Sequence, residues 1–309
     1  MNTEDPLVSI LIPTYNRAQY FQLALKSAIE QTYHNIEIIV VDDSTNFETY
    51  HLIQPYLKQY PHVKYYRNHQ NIGGVLNFIK CYQYSTGEYI NFLMDDDIFH
   101  PDKIKTMLPY FLNDSSQKIK LITSYFSIIN EHGELLPDNI YSKRRFNQIT
   151  NVDGVKAGSS IVSEFNWIGV PTIPLFRKKD LSLPFGVFSD RLYRSGVDIA
   201  AWLTLLSKGD LLYIPDSLSQ LRLHPHNIGK DGNMQLYAMQ DLIHLLFHCR
   251  KNNFLKDNSE YDKALDIIHR IFSNIPHQFS LNVKKKGEYN YYSLLLKKLF
   301  ATYKCTNKE

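Results

Sequence analysis

Apolar runs and amphipathic stretches alternate through the first third of this chain, and that alternation constrains its fold more than any other feature. Leu7-Val8-Ser9-Ile10-Leu11-Ile12 reads as a buried strand stopped by Pro13. Ile36 to Val41 reads as a second, β-branched almost throughout. Val63-Lys64-Tyr65-Tyr66 is a third, and Glu88 to Leu93 a fourth. Between them the spacing predicts helices from an Asn16 cap to about Gln31, from about Phe47 to Tyr60, and from Gly73-Gly74 to a stop at Gly87. Near-continuous apolar strands alternating with helices predict an α/β fold, with a mostly parallel central sheet flanked by helices. In such sheets ligands sit outside the carboxyl ends of the strands. Pro13-Thr14-Tyr15-Asn16, Asp42-Asp43-Ser44 and Asp95-Asp96-Asp97 all stand at such ends, so three polar clusters are expected along one edge.

The middle of the chain is less regular. A strand is expected within Lys120–Ile129 and a turn at Gly133. Residues 137–165 read as loop with one short helix near Val152, and Pro171–Phe176 as a returning strand. A helix over Val197–Ser207 and a strand over Leu211–Pro215 follow, and from about Leu236 the pattern is helical. The expected division is one domain over 1–235, in halves meeting near residue 100, and a helical C-terminal extension over 236–309.

Composition narrows the class. Of 309 residues 44% are hydrophobic and 21% charged, which excludes a disordered chain. A net charge of +3 does not point to nucleic acid. Cys81, Cys249 and Cys305 show no pairing or metal-ligand spacing, in keeping with a reducing compartment. Asn2-Thr3-Glu4-Asp5 lacks the basic start of a signal peptide, and no apolar stretch reaches the ~20 residues that span a bilayer. The expectation is a cytoplasmic protein, soluble or peripherally bound. Basic residues gather late, at Lys284-Lys285-Lys286 and Lys297-Lys298.

Three carboxylates in succession repel one another and resist burial. Asp95-Asp96-Asp97 therefore holds a divalent cation with the phosphates it neutralises, or forms a turn capping a helix at Pro101. One Asp suffices for a cap, and three favour the metal. Asp42-Asp43 fits a turn or an acceptor for a nucleoside. Asn71-Ile72-Gly73-Gly74 offers backbone donors at a helix start, suited to a diphosphate. His224 and His226 follow a predicted strand, where imidazole can ligate metal or simply be solvated. His244 and His248 stand four apart, as zinc ligands can, yet with no third candidate they read as helix surface. Trp167 and Trp202 read as core or pocket wall.

Together these segments resemble the family 2 glycosyltransferases of GT-A fold. The resemblance runs over about residues 7–225. It is carried by Val8–Arg17, Gln31-Thr32-Tyr33, Val40–Ser44, Asn71-Ile72-Gly73 and Asp95-Asp96-Asp97. Later segments agree: Gly169-Val170-Pro171, Phe176-Arg177, Val197-Asp198 ahead of Ala201-Trp202-Leu203, and Arg222-Leu223-His224. It implies a nucleotide-binding half over about 1–100 and an acceptor half over about 101–235. It implies donor-site roles for Pro13, Thr14, Tyr15, Asn16, Arg17, Asp42, Asp43, Asn71, Gly73, Asp95 and Asp96. Mn²⁺ or Mg²⁺ would be held by Asp96, Asp97 and His224, with Asp96 foremost, and Asp198 would be the catalytic base of an inverting enzyme. Two positions depart from the family pattern: Met94 stands where many relatives have an acid, and Val197 where a Glu often precedes the base.

The implied activity is transfer of a sugar from a nucleotide-sugar, by family habit UDP-linked, to a hydroxyl of a glycan or lipid-linked acceptor in bacterial surface polysaccharide synthesis. Rival readings are a sugar nucleotidyltransferase, which would carry a Gly-rich basic loop after the first strand, and a non-catalytic nucleotide-sugar binding module. Tyr291–Phe300 has the pattern of a basic amphipathic helix, which would suit peripheral contact with the inner membrane face or simple packing on the core.

Overall fold

Val8–Thr14 (β1) and Ile36–Asp42 (β2) are buried over their full length, as strands covered on both faces must be. The computed structural model describes residues 5–139, 142–225 and 232–273, with 287, 288, 290–295, 297 and 298. Around the first two strands run α1 (Ala18–Ile29), α2 (Glu48–Gln59), β3 (Val63–Arg67), α3 (Gly74–Tyr84) and β4 (Tyr89–Phe92). Next come β5 (Ile98–Phe99), α4 (Lys103–Leu112), β6 (Ile119–Ile129), β7 (Leu135–Leu136), β8 (Thr150–Val152), α5 (Gly154–Ser163) and β9 (Phe176–Arg177). The hairpin β10 (Val187–Phe188) and β11 (Arg191–Leu192) precedes α6 (Val197–Leu206), β12 (Asp210–Arg222), α7 (Gly232–His248) and α8 (Asn258–Ser273).

The first sheet has the order β3-β2-β1-β4-β9, its first four strands parallel and β9 antiparallel to β4. Thr14 pairs with Asp42, and Asp42 with Arg67, so the polar strand ends lie in register along one edge. Alternation along β1 sends Ile10 and Ile12 into one core cluster and Leu11 into another, on the opposite face. A second sheet, β5-β12-β6-β7, pairs β12 parallel to β6 and antiparallel to β5, which carries Arg222 back over the aspartates. Both tryptophans are core, and α7 and α8 contribute Met239, Ile243, Leu246, Ala264 and Leu265 to the same cluster as Trp202.

The structure corrects four local expectations. Asn16 does not cap α1: it sits at φ +51°, and its side chain exchanges hydrogen bonds with Thr45 Oγ1 and N, each at 3.0 Å. Arg17 occupies the cap position without a side-chain bond. The stretch expected as loop also holds β8, which pairs with β12, while the short helix expected near Val152 is present as α5, ten residues capped by Asp153. Its glycines serve close packing: a Cβ on Gly154 would lie 1.9 Å from Gly209 O, and one on Gly158 2.2 Å from the Phe254 ring. The strand expected over Pro171–Phe176 begins as a turn closed by Ile173 N donating to Val170 O, and only Leu175, bridged to Ile122, and Phe176, paired with Ile90, are extended. The strand expected over Leu211–Pro215 extends from Asp210 to Arg222.

Cys81 and Cys249 are buried free thiols, and Cys305 lies outside the described residues. So do His226, Lys284-Lys285-Lys286 and part of the proposed terminal helix. In the part that is described, Tyr292 and Leu295 pack on the core while Tyr291 and Leu294 are exposed. No helix among the described residues is long and apolar enough to cross a membrane.

Candidate active site

Two cavities of about 650 and 520 Å³ adjoin at the carboxyl edge of the first sheet, sharing Arg17, Gly74, Phe78 and Met94 in their walls. The larger is lined by Pro13, Thr14, Tyr15, Asn16, Asp43, Asn71, Gly73 and His224. The smaller is lined by Asp96, Asp97, Asp198, Arg194 and Arg222 among others. The expected donor residues therefore converge with two exceptions, since Asp42 and Asp95 lie behind the walls.

Asp42 is fully buried and works inward. Its Oδ2 accepts from Tyr65 Oη at 2.6 Å and lies 3.6 Å from Arg67, while Oδ1 accepts from Ser44 N at 2.9 Å, which ties β3 to the strand end. Asp43 organises the neighbouring loop. Oδ1 accepts from Asn68 Nδ2 and Ile72 N, and Oδ2 from Asn71 Nδ2 and Gly73 N, all at 2.8–2.9 Å. Four donors saturate a carboxylate. Asp43 thus fixes the start of α3, where Gly73 at φ +85° takes a conformation that side chains disfavour.

The three aspartates have different work. Asp95 Oδ2 accepts from Thr14 Oγ1 at 2.9 Å and Tyr15 N at 3.2 Å, and Oδ1 pairs with Arg17 at 3.0 Å. Asp96 Oδ2 pairs with Arg17 Nη1 and lies 3.0 Å from His224 Nε2. Asp97 Oδ1 accepts from Arg222 N at 3.0 Å and Oδ2 from Thr172 Oγ1 at 2.5 Å. It caps no helix: α4 starts six residues later, behind Asp102. Burial pushes both Asp95 and Asp97 above the usual carboxylate range. Arg17 offsets part of this at Asp95, while the charge of Asp96 adds to it at both.

Asp198 stands in the first turn of α6, with Oδ2 accepting from Asn166 Nδ2 at 3.1 Å. Burial raises its pKa to about 6 against the opposing pull of backbone N–H groups at the helix start and of Asn166. Asn166 also reaches Gly169 O, which accepts from Trp202 Nε1 at 3.1 Å, so the loop before α6 is anchored in the core. At Gly169, φ +103° disfavours a side chain, and a Cβ there would lie 2.6 Å from Ile173 Cγ1.

Sequence reasoning missed Asn166, Thr172 and Tyr20, whose ring lies 4.9 Å from His224. None carries a local signal, because each matters only through a partner distant in the chain. His244 and His248 line neither cavity.

The profile of the family described as "Glycosyl transferase family 2" matches residues 9–198. The chain belongs to that family. An uncharacterised glycosyltransferase of Rickettsia typhi is 36% identical over 303 residues, covering 96% of this chain and 85% of its own. TuaG of Bacillus subtilis, named as a teichuronic acid biosynthesis glycosyltransferase, is 27% identical over 234 residues, 75% of this chain and 84% of its own. The crystal structure of residues 1–349 of S. aureus TarS in complex with UDP-GlcNAc superposes with a TM-score of 0.65 at 16% identity. That match covers 93% of this chain and 79% of that one. The chain spans about half the length, 48%, of two Rickettsia relatives it also matches. The chain has the GT-A fold and belongs with the family 2 glycosyltransferases, as its residues suggested.

Proposed function

We propose that the protein transfers a sugar from a nucleotide-sugar, UDP-linked in preference, to a hydroxyl of a glycan or lipid-linked acceptor, with inversion. The observation that carries this reading is the junction of the two cavities. His224 lines the larger, Asp96 and Asp198 line the smaller, and Asp96 with His224 bridges between them. The larger cavity suits the nucleoside diphosphate and the smaller the acceptor.

The residues at the junction fit a divalent ion. A carboxylate oxygen and an imidazole nitrogen 3.0 Å apart, on buried side chains, form a donor set of the kind that binds Mn²⁺ or Mg²⁺ alongside substrate phosphates. Asp96 and His224 would hold it, and Asp97, whose two oxygens already accept from Thr172 and Arg222, would brace them. Such an ion supplies charge stabilisation to the departing diphosphate. Arg17, paired with Asp95 and Asp96 and lining both cavities, adds a guanidinium beside the same phosphates. Pro13, Thr14, Tyr15 and the Asn71–Gly73 loop shape the nucleoside end. Asp198 takes the proton of the acceptor hydroxyl as its oxygen bonds the anomeric carbon and the nucleoside diphosphate leaves from the opposite face. A pKa near 6 leaves it unprotonated at neutral pH yet basic enough to act.

The UDP preference draws support from the UDP-GlcNAc complex of TarS, and the polysaccharide acceptor from the name of TuaG. A cytoplasmic site of action, with the exposed Tyr291 and Leu294 near Lys297 and Lys298 meeting an anionic membrane, belongs to the same reading. The test is a nucleotide-release screen over UDP-, GDP- and dTDP-sugars with Mn²⁺ and lipid-linked acceptors. Release of UDP above all others supports the assignment. Release from GDP- or dTDP-sugars alone overturns the donor, and undiminished release in EDTA overturns the metal.

A further inference from the structure

Away from both cavities, one group of three metal-ligating side chains converges among the described residues: Asp190, His244 and His248. One ligand atom from each lies within 4.8 Å of the others. The two histidines are one helical turn apart on α7, their rings stacked at 4.1 Å and 15°. Asp190 comes from the two-residue turn of the β10–β11 hairpin, where Ser189 takes φ +57°. Phe188 and Tyr193, both buried, anchor the hairpin on either side of that turn.

We propose that Asp190, His244 and His248 form a zinc site that fastens this hairpin to α7. The surroundings orient the ligands for it. Tyr193 Oη lies 3.0 Å from His244 Nδ1, and Ser189 Oγ lies 3.1 Å from His248 Nδ1. Each ring is thus held by its Nδ1, which directs Nε2 to the shared space, as in ligating histidines generally. His244 Nε2 and Asp190 Oδ1 are already 3.0 Å apart. Tetrahedral zinc, with bonds of about 2.0–2.2 Å, draws its ligand atoms to roughly 3.4 Å. Asp190, whose side chain is 76% exposed, can move to close the remaining gap. Two imidazoles and one carboxylate favour Zn²⁺ over Mn²⁺, and a solvent molecule would complete the tetrahedron.

The site would act on structure. From α7, Asp241 Oδ2 accepts from the backbone N–H of Arg194, Ser195 and Gly196 at 2.8–3.3 Å, the stretch leading into α6 and Asp198. A zinc ion at the hairpin tip would secure the other end of that stretch to the same helix.

The test is calorimetric titration of Zn²⁺ into the metal-free chain, repeated on Asp190→Asn, His248→Ala and Asp96→Asn, with circular dichroism as the check on folding. The expected result is one equivalent in the unsubstituted chain, with at least tenfold weaker affinity in Asp190→Asn and His248→Ala. The same equivalent persists in Asp96→Asn, and Zn²⁺ raises Tm wherever it binds. Asp190 is exposed, so its substitution leaves the fold intact and keeps the comparison valid. Absence of stoichiometric binding, binding indifferent to Asp190→Asn, or binding lost only in Asp96→Asn overturns the proposal.

Discussion

Nε2 of His224 lies 3.0 Å from Oδ2 of Asp96, joining residues 128 positions apart where the two cavities meet. A divalent ion held there would draw its chain ligands from two sheets. Asp96→Asn or His224→Ala should weaken Mn²⁺ binding at least tenfold in the presence of UDP, read by electron paramagnetic resonance. Substituting Asp97, whose oxygens accept from Thr172 and Arg222, should cost stability as well as metal. Equal Mn²⁺ affinity in His224→Ala would remove the imidazole from the ligand set.

Asp198 should control the acid limb of the rate profile. A base works only when unprotonated, so kcat should fall as pH drops through about 6. Asp198→Asn should lose roughly 10²–10⁴-fold in kcat with UDP affinity unchanged. Asn166→Ala removes one stabilising hydrogen bond from the carboxylate and should move that limb to higher pH. A profile unmoved by either substitution would assign the proton to another group.

Arg17 neutralises two buried carboxylates. Arg17→Ala leaves them without that partner, at a cost of about 3 kcal/mol, which thermal or urea unfolding measures. Mn²⁺ with UDP should restore part of the lost stability, because the cation takes over the guanidinium's role at Asp96. Failure of Mn²⁺ to stabilise the variant would argue against a shared place.

Lys103 offers a stability signature. Fully buried, it donates to Ile173 O at 2.7 Å and Ser219 Oγ at 3.0 Å, and burial lowers its pKa to about 7. Between that value and the ordinary lysine range the unfolded chain holds a proton that the folded chain does not, so stability rises with pH there. Urea midpoints should climb from pH 7 toward pH 10, and Lys103→Met should abolish the climb. A parallel climb in the variant would contradict this.

Much of the first sheet was legible in sequence because doubly covered parallel strands leave an unbroken apolar trace, as Ile10, Leu11 and Ile12 do. Their polar ends could then be assigned to one edge. Only a short helix near Val152 was legible where the ten-residue α5 runs, since Gly154, Ala157, Gly158 and Ser159 replace the large apolar periodicity that marks a helix with the small residues close packing needs. Asn16 looked like a cap, but Thr45 in a different loop claims its side chain. The third partner of His244 and His248 was invisible because it sits on a hairpin turn more than fifty residues earlier.

The most direct test is calorimetric titration of UDP into the protein with Mn²⁺, then with EDTA, in the unsubstituted chain and in Asp96→Asn. UDP should bind with a Kd in about the 1 µM–1 mM range with Mn²⁺. Binding should be at least tenfold weaker in EDTA, with the same loss in Asp96→Asn. UDP binding that is absent under all conditions, or equally strong in EDTA and in Asp96→Asn, would contradict it.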